Sequence, residues 1–204
     1  MGNSLPIWRD RMKIISIALL VVLGCGLAVF AAAAPAQGQK GVVIVYASRY
    51  GSTAKTAEWI AEGMAGKATV VSAGEAGDLG GYEKIILGSG IYNDKLHVDM
   101  AAFLEKQGAE VQDKLIALFV VCGAPPDQAG PYLEMFAEKC QAKPLLARVF
   151  NGWMKKELLS AEDYKGLEAY YKGAGYPFED YDQTDKAKCL EFGKEILARL
   201  GEMK

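Results

Sequence analysis

Six consecutive residues carry the strongest chemical signal in the chain: Ser48, Arg49, Tyr50, Gly51, Ser52 and Thr53. Four hydroxyl side chains are grouped around one glycine, just after an apolar run and just before residues with helical spacing. Hydroxyls together with the free backbone N–H groups of a helix start can wrap the oxygens of an anion without a counter-cation. The turn lacks both G-x-G-x-x-G and G-x-x-x-x-G-K-[ST], which argues against a dinucleotide fold and an NTPase. A phosphate monoester held mainly by hydroxyls and amides points to flavin mononucleotide (FMN). An ordinary strand-to-helix turn is the plain alternative.

Two further clusters fit the same guest. Gly88, Ser89, Gly90, Ile91, Tyr92, Asn93 and Asp94 combine backbone freedom with an aromatic ring that can stack on a planar heterocycle. Cys122, Gly123 and Ala124, followed by two prolines, are small enough to let a flat ring approach the backbone. His97, the only histidine, opens a predicted helix beside the second cluster. It is either a proton donor to the reduced ring or substrate, or a capping or surface residue. Cys122 reads more plainly as a small apolar filler than as a redox group, and Asp180 and Asp182 as solvated loop charges. Trp153 with Phe150 reads as core or edge packing rather than as a flavin stack.

Alternating elements must position these clusters. Residues 42–46, Val-Val-Ile-Val-Tyr, form a β-branched apolar run suited to a central parallel strand covered on both faces. Ala54, Ala57, Ile60, Ala61 and Met64 follow at helical spacing. Further strands are expected at 67–73, 84–87, 115–121 and, most weakly, 145–150. Further helices are expected from Leu96 to Gln107, over 131–140, and over 185–200 with Leu190, Gly193, Leu197 and Leu200 on the inner face. The pattern predicts an α/β fold: a five-stranded parallel sheet, helices on both faces, strand order 2-1-3-4-5. Each of the three clusters then leaves the carboxyl end of a strand, where open α/β sheets bind ligands. Residues 151–184 exceed what the fold needs. They read as a helix patching the sheet's edge or as an aromatic partner or substrate surface near the cofactor.

The chain has 204 residues, four cysteines and a formal charge of −2. Arg9, Arg11 and Lys13 precede an uncharged apolar stretch over 14–34, and Ala34-Pro35-Ala36 forms an A-x-A pattern. Residues 1–36 are expected to be a cleaved signal, with an uncleaved membrane anchor as the competing reading and lipidation at Cys25 a weaker one. Each exports the domain over 37–204 across the cytoplasmic membrane, soluble after cleavage or held by residues 14–34. With 1–36 removed the charge is −4, which gives no electrostatic case for nucleic acid or anionic lipid. Three cysteines remain, with no metal spacing; one disulfide is possible. With one histidine and no paired Cys/His cluster, no structural zinc site is expected, and a cation at Asp180 and Asp182 is the weaker reading of those two charges.

At this point SRYGSTAKTA, ILGSGIYNDKLH and ALFVVCG resemble the three cofactor loops of flavodoxin-like FMN proteins. The resemblance is closest to the branch that includes the menaquinone-dependent protoporphyrinogen oxidases, and it spans roughly residues 41–200. It implies a flavodoxin-like three-layer sandwich, with 48–53 as the phosphate loop. Gly88 to Asn93 and Cys122 to Ala124 would border the two sides of the flavin ring. The chain departs from the pattern at Arg49-Tyr50, at Asp94 in place of glycine, and in an acidic rather than basic extra segment. The implied function is an FMN-dependent oxidoreductase acting on a quinone-like or other planar acceptor. The alternatives are a one-electron carrier that docks to partner redox proteins, and a flavin-free interaction module.

Overall fold

The computed structural model describes residues 41–203. The boundary at 36 and the apolar stretch over 14–34 lie outside the described residues. The chain order begins β1 (Val42–Ala47), α1 (Ser52–Gly63), β2 (Ala68–Ser72), β3 (Lys84–Tyr92), β4 (Lys95–Leu96) and α2 (Val98–Lys114). It continues β5 (Leu115–Cys122), α3 (Gly130–Cys140), β6 (Leu146–Asn151), β7 (Trp153–Met154), α4 (Ala161–Ala174), β8 (Tyr181–Asp182) and α5 (Lys186–Glu202). The main sheet runs β2-β1-β3-β5-β6, all parallel. With the two-residue β4 set aside, this is the expected order, and the winding reverses between β1 and β3.

Period-two alternation makes the two faces. Val43, Val45, Ile85, Leu87, Leu118 and Val120 pack with Met100, Phe103 and Phe136 of α2 and α3. Their neighbours Val42, Ile44, Ile86, Ala117, Phe119 and Val121 pack with Ile60, Phe192 and Ile196 of α1 and α5. A strand buried on both faces has no polar face to show, which is why β1 and β5 read as unbroken apolar runs.

α1 and α5 touch through glycine. A Cβ on Gly193 would stand 2.2 Å from the Ile60 carbonyl oxygen, and one on Gly63 2.3 Å from that of Leu190. This backbone contact turns Cys189, Phe192, Gly193 and Ile196 inward. The inner face is therefore rotated from the one predicted: Gly193 belongs to it, but Leu190, Leu197 and Leu200 lie at its margin, only partly buried.

β3 runs on through Tyr92 rather than stopping at Leu87, and turns back at Asn93 and Asp94 to pair with β4. Both turn residues have positive φ, 49° and 58°, as a tight primed hairpin turn requires. Leu96 thus belongs to β4, and α2 begins two residues later. The extra segment makes a small antiparallel ribbon, β7 with β8, and the helix α4. No residue of α4 is buried. The three described cysteines, 122, 140 and 189, are buried and unpaired, so none forms a disulfide with another.

Candidate functional site

The turn between β1 and α1 lies at the carboxyl end of the central strand. Gly51 precedes the helix with φ 90°, a left-handed conformation that disfavours any side chain there. No side chain caps the helix, and its first turn holds no acidic residue. Its N-terminal N–H groups and positive dipole end are therefore left for something else. Ser48 Oγ accepts the Gly51 N–H at 3.1 Å and closes the turn. Thr53 is fully buried, and its Oγ1 has no hydrogen-bond partner. A buried unpaired hydroxyl costs about 1–3 kcal/mol, so its position asks for a ligand atom. Ser52 is buried beside Gly152, where a Cβ would stand 2.8 Å from the Ser52 hydroxyl.

Tyr92, expected as a ring stacker, reaches back to this turn with its hydroxyl. Its hydroxyl accepts the Arg49 backbone N–H at 2.9 Å, and the Arg49 guanidinium lies 4.9 Å from its ring centre. Burial pushes the Tyr92 phenol above its ordinary pKa. Gly90 makes room for it: a Cβ there would lie 2.7 Å from the Tyr92 ring and 3.0 Å from Thr53 Oγ1.

The remaining residues of the second cluster serve the sheet and hairpin. Gly88 sits inside β3, where the Phe119 ring fills the space of its missing side chain, the nearest ring carbon 1.9 Å from an ideal Cβ. Its glycine is thus a packing residue. Ser89 is fully buried, accepting the His97 N–H at 3.0 Å and donating to the Gly90 carbonyl. Ile91 pairs with Leu96, and Asp94 at the hairpin tip accepts from the Tyr132 hydroxyl of α3. That bond pushes the Tyr132 phenol up to about 12.

His97 caps α2: its Nδ1 accepts the Asp99 N–H at 3.1 Å, so the neutral ring carries its proton on Nε2. Its edge meets the Tyr92 ring, centroids 5.5 Å apart. Burial lowers its pKa from 6.5, with Asp99 opposing and Arg49 adding to the shift. A base with a depressed folded pKa binds fewer protons than the unfolded chain. Its contribution to stability is whole above the ordinary imidazole range and falls as pH drops through it, by up to about 1.4 kcal/mol per pH unit. We expect the urea midpoint to fall between pH 7.5 and 5.5. His97→Asn, which keeps a capping acceptor, should flatten that part of the profile.

The third cluster is held from the other side. Asn151 Nδ2 donates to the Ala124 carbonyl at 2.9 Å and to that of Cys122 at 3.4 Å. The Tyr181 hydroxyl covers Gly123, 2.7 Å from an ideal Cβ. Burial raises both Tyr181 and Cys122 above their ordinary pKa values. A buried thiol of that kind is a poor nucleophile.

Three groups that sequence reasoning did not assign to the site complete it. Trp153 Nε1 donates to the Tyr50 carbonyl at 2.9 Å, and its ring lies 3.2 Å from an ideal Cβ on Gly51. Asp163 of α4 accepts from Arg49 Nη1 at 2.6 Å and from the Tyr50 hydroxyl at 2.5 Å. The Tyr50 bond, and then Arg49, hold its carboxyl below the usual carboxylate range. Ser160 caps α4 by accepting the Asp163 N–H, and its own N–H donates to the Tyr50 hydroxyl. Ser160-x-x-Asp163 has the spacing of a capping box, but the carboxylate that would close the box has turned to Arg49 and Tyr50. That spacing signals the helix start and nothing of the distant partner.

Fold and site define a class: a doubly wound parallel sheet with an uncapped, hydroxyl-rich turn at its switch point. A family profile for the flavodoxin domain matches residues 43–179, and the chain belongs to that family. No curated protein matches the chain. Among solved structures, a flavodoxin from the domain Archaea is 20% identical, with a TM-score of 0.52 over 79% of this chain and 99% of that one. Flavodoxin 1 from Bacillus cereus is 22% identical, with a TM-score of 0.51 over 78% of this chain and 98% of that one. A flavodiiron core from Synechocystis is 16% identical, with a TM-score of 0.52, covering 83% of this chain and 38% of that chain. The shared feature is the fold.

Proposed function

We propose that this flavodoxin-family chain is a redox protein that binds FMN. The observation that carries the reading is Thr53 Oγ1, buried and unpartnered at an uncapped helix start free of carboxylates. That donor set fits a phosphate monoester. Ser48, Ser52 and Thr53 would offer hydroxyls, and the amides of the helix start at Ser52 and Thr53 would offer N–H groups. The hairpin over 89–95 and residues 122–124 would border the ring. When bound, FMN supplies the electron chemistry, and the chain supplies binding, orientation and solvent access.

Within that reading, an oxidoreductase acting on a quinone-like or other planar acceptor is favoured. It rests on the resemblance of the three loop sequences to the menaquinone-dependent protoporphyrinogen oxidase branch, and on the extra segment laid against the phosphate turn. That segment, residues 151–184, holds seven acidic and four basic residues, which disfavours a carboxylate-bearing porphyrin. The same acidic character favours a second reading, a one-electron carrier that docks to a basic redox partner. Among the described residues no helix is long and apolar enough to cross a membrane. We propose export on the basic cluster ahead of residues 14–34.

Purified protein titrated with FMN should quench flavin fluorescence at micromolar concentration, with riboflavin binding markedly more weakly. No quenching by FMN would end both redox readings. Turnover with small quinones, set against electron exchange with a purified redox protein, separates oxidoreductase from carrier.

A further inference from the structure

We propose that Tyr92 is a displaceable internal ligand of the phosphate turn, its hydroxyl holding a place that an incoming phosphate must take. The inference rests on the FMN reading for its natural ligand, but its geometry stands apart from it. The Tyr92 oxygen takes the Arg49 N–H at 2.9 Å, one of the amides that face an anion at such a turn. The Tyr92 hydroxyl and Thr53 Oγ1 converge on one point, lying 2.8 Å and 3.0 Å from an ideal Cβ on Gly90.

The seat is a poor one. Tyr92 satisfies one amide, while Thr53 Oγ1 stays buried and unpaired. A neutral phenol also gains little from the positive end of α1, whereas a phosphate brings several acceptor oxygens and up to two negative charges. Charge-assisted bonds of that kind are about twice as strong as the one Tyr92 makes. The anion therefore wins the turn, and the ring is released from Gly90. Tyr92 acts as a gate that keeps the turn formed without ligand and costs some affinity when ligand arrives. An unphosphorylated flavin brings no phosphate oxygen for the Arg49 N–H, so it neither displaces the Tyr92 hydroxyl nor gains from its removal.

Tyr92→Phe removes the competing oxygen but keeps the ring. The experiment compares wild type and Tyr92→Phe by calorimetric titration with FMN, riboflavin and inorganic phosphate. The expected result is FMN and phosphate binding tightened roughly three- to tenfold, the worth of one net hydrogen bond, with riboflavin unchanged. Phosphate tightened with FMN still not bound would uphold the gate and overturn the FMN reading. FMN bound equally or more weakly by the variant would overturn the gate and leave the FMN reading standing. No binding of any anion by either protein would overturn both. Should the variant fail to fold, 3-fluorotyrosine at position 92 of the otherwise wild-type protein gives the same decision. Its fluorine resonance should move toward the solvent-exposed value on adding phosphate, and an unmoved resonance at saturation would reject the gate.

Discussion

Ser48→Asp is expected to abolish FMN binding, by at least about a hundredfold in affinity, while leaving the fold as stable as before or slightly more so. The serine hydroxyl accepts the Gly51 N–H at 3.1 Å, and an aspartate carboxylate can take the same N–H. The helix it precedes has no cap and no acidic residue in its first turn. A carboxylate there gains from the helix dipole, by about 0.3–1 kcal/mol. On the proposed reading the same carboxylate stands where the ligand's phosphate goes. Two unit charges 4 Å apart near a protein surface repel by about 4 kcal/mol, and salt screening still leaves two orders of magnitude in affinity. Ser48→Ala is the control, with a loss of only a few-fold. Fluorescence-quenching titrations and urea midpoints on the same preparations decide it. Unchanged FMN affinity in Ser48→Asp would show that the phosphate does not sit at this turn.

How much of this was legible in the sequence depends on how local each interaction is. The strand, turn and first helix were readable because their signals are neighbours: a β-branched run, a hydroxyl cluster with one glycine, then apolar residues at helical spacing. The strand order followed from the alternation of elements and from β1 and β5 being apolar on both faces. His97 as a helix cap was one of its two readings, since the cap lies two residues from its acceptor's partner. Gly88 looked like loop freedom next to Ser89 and Gly90. It is a packing glycine because of Phe119, a residue 31 positions away that no local pattern connects to it. The inner face of α5 was misjudged for the same reason. Leu190, Leu197 and Leu200 outrank Cys189 in hydrophobicity, but a glycine-to-backbone contact with α1 decides the rotation. Nothing in GSGIYND says that β3 continues through Tyr92 and carries its hydroxyl to the Arg49 N–H.

The extra segment is the least legible part and the source of the second large effect. α4 has no buried residue and none that packs in either core; its Tyr164 and Tyr171 pack on Phe178 of the same extra segment. Its hydrogen bonds to the domain outside the extra segment meet at one place: Asp163 on Arg49 and Tyr50, and the Ser160 N–H on Tyr50. Trp153 on the Tyr50 carbonyl anchors the ribbon that precedes it. Asp163→Ala should therefore free α4 while barely changing global stability, since a partly exposed ion pair contributes at most about 1 kcal/mol. We expect limited proteolysis between residues 155 and 180 to accelerate by roughly tenfold, the effect of losing hydrogen bonds to one carboxylate in a local opening equilibrium. FMN affinity should fall three- to tenfold, because Arg49 and Tyr50 are no longer held in place before the ligand arrives. Asp163→Asn keeps an acceptor for Tyr50 and should lie between wild type and alanine. The pH dependence has a definite sign. The folded carboxyl is held below its ordinary 3.8, so the clamp is whole above that range and is lost as pH falls through the folded value. Acid should thus open the segment of the wild-type protein and have little further effect on cleavage of Asp163→Ala. Equal proteolysis of wild type and variant at neutral pH would show that α4 is held by something other than this carboxylate.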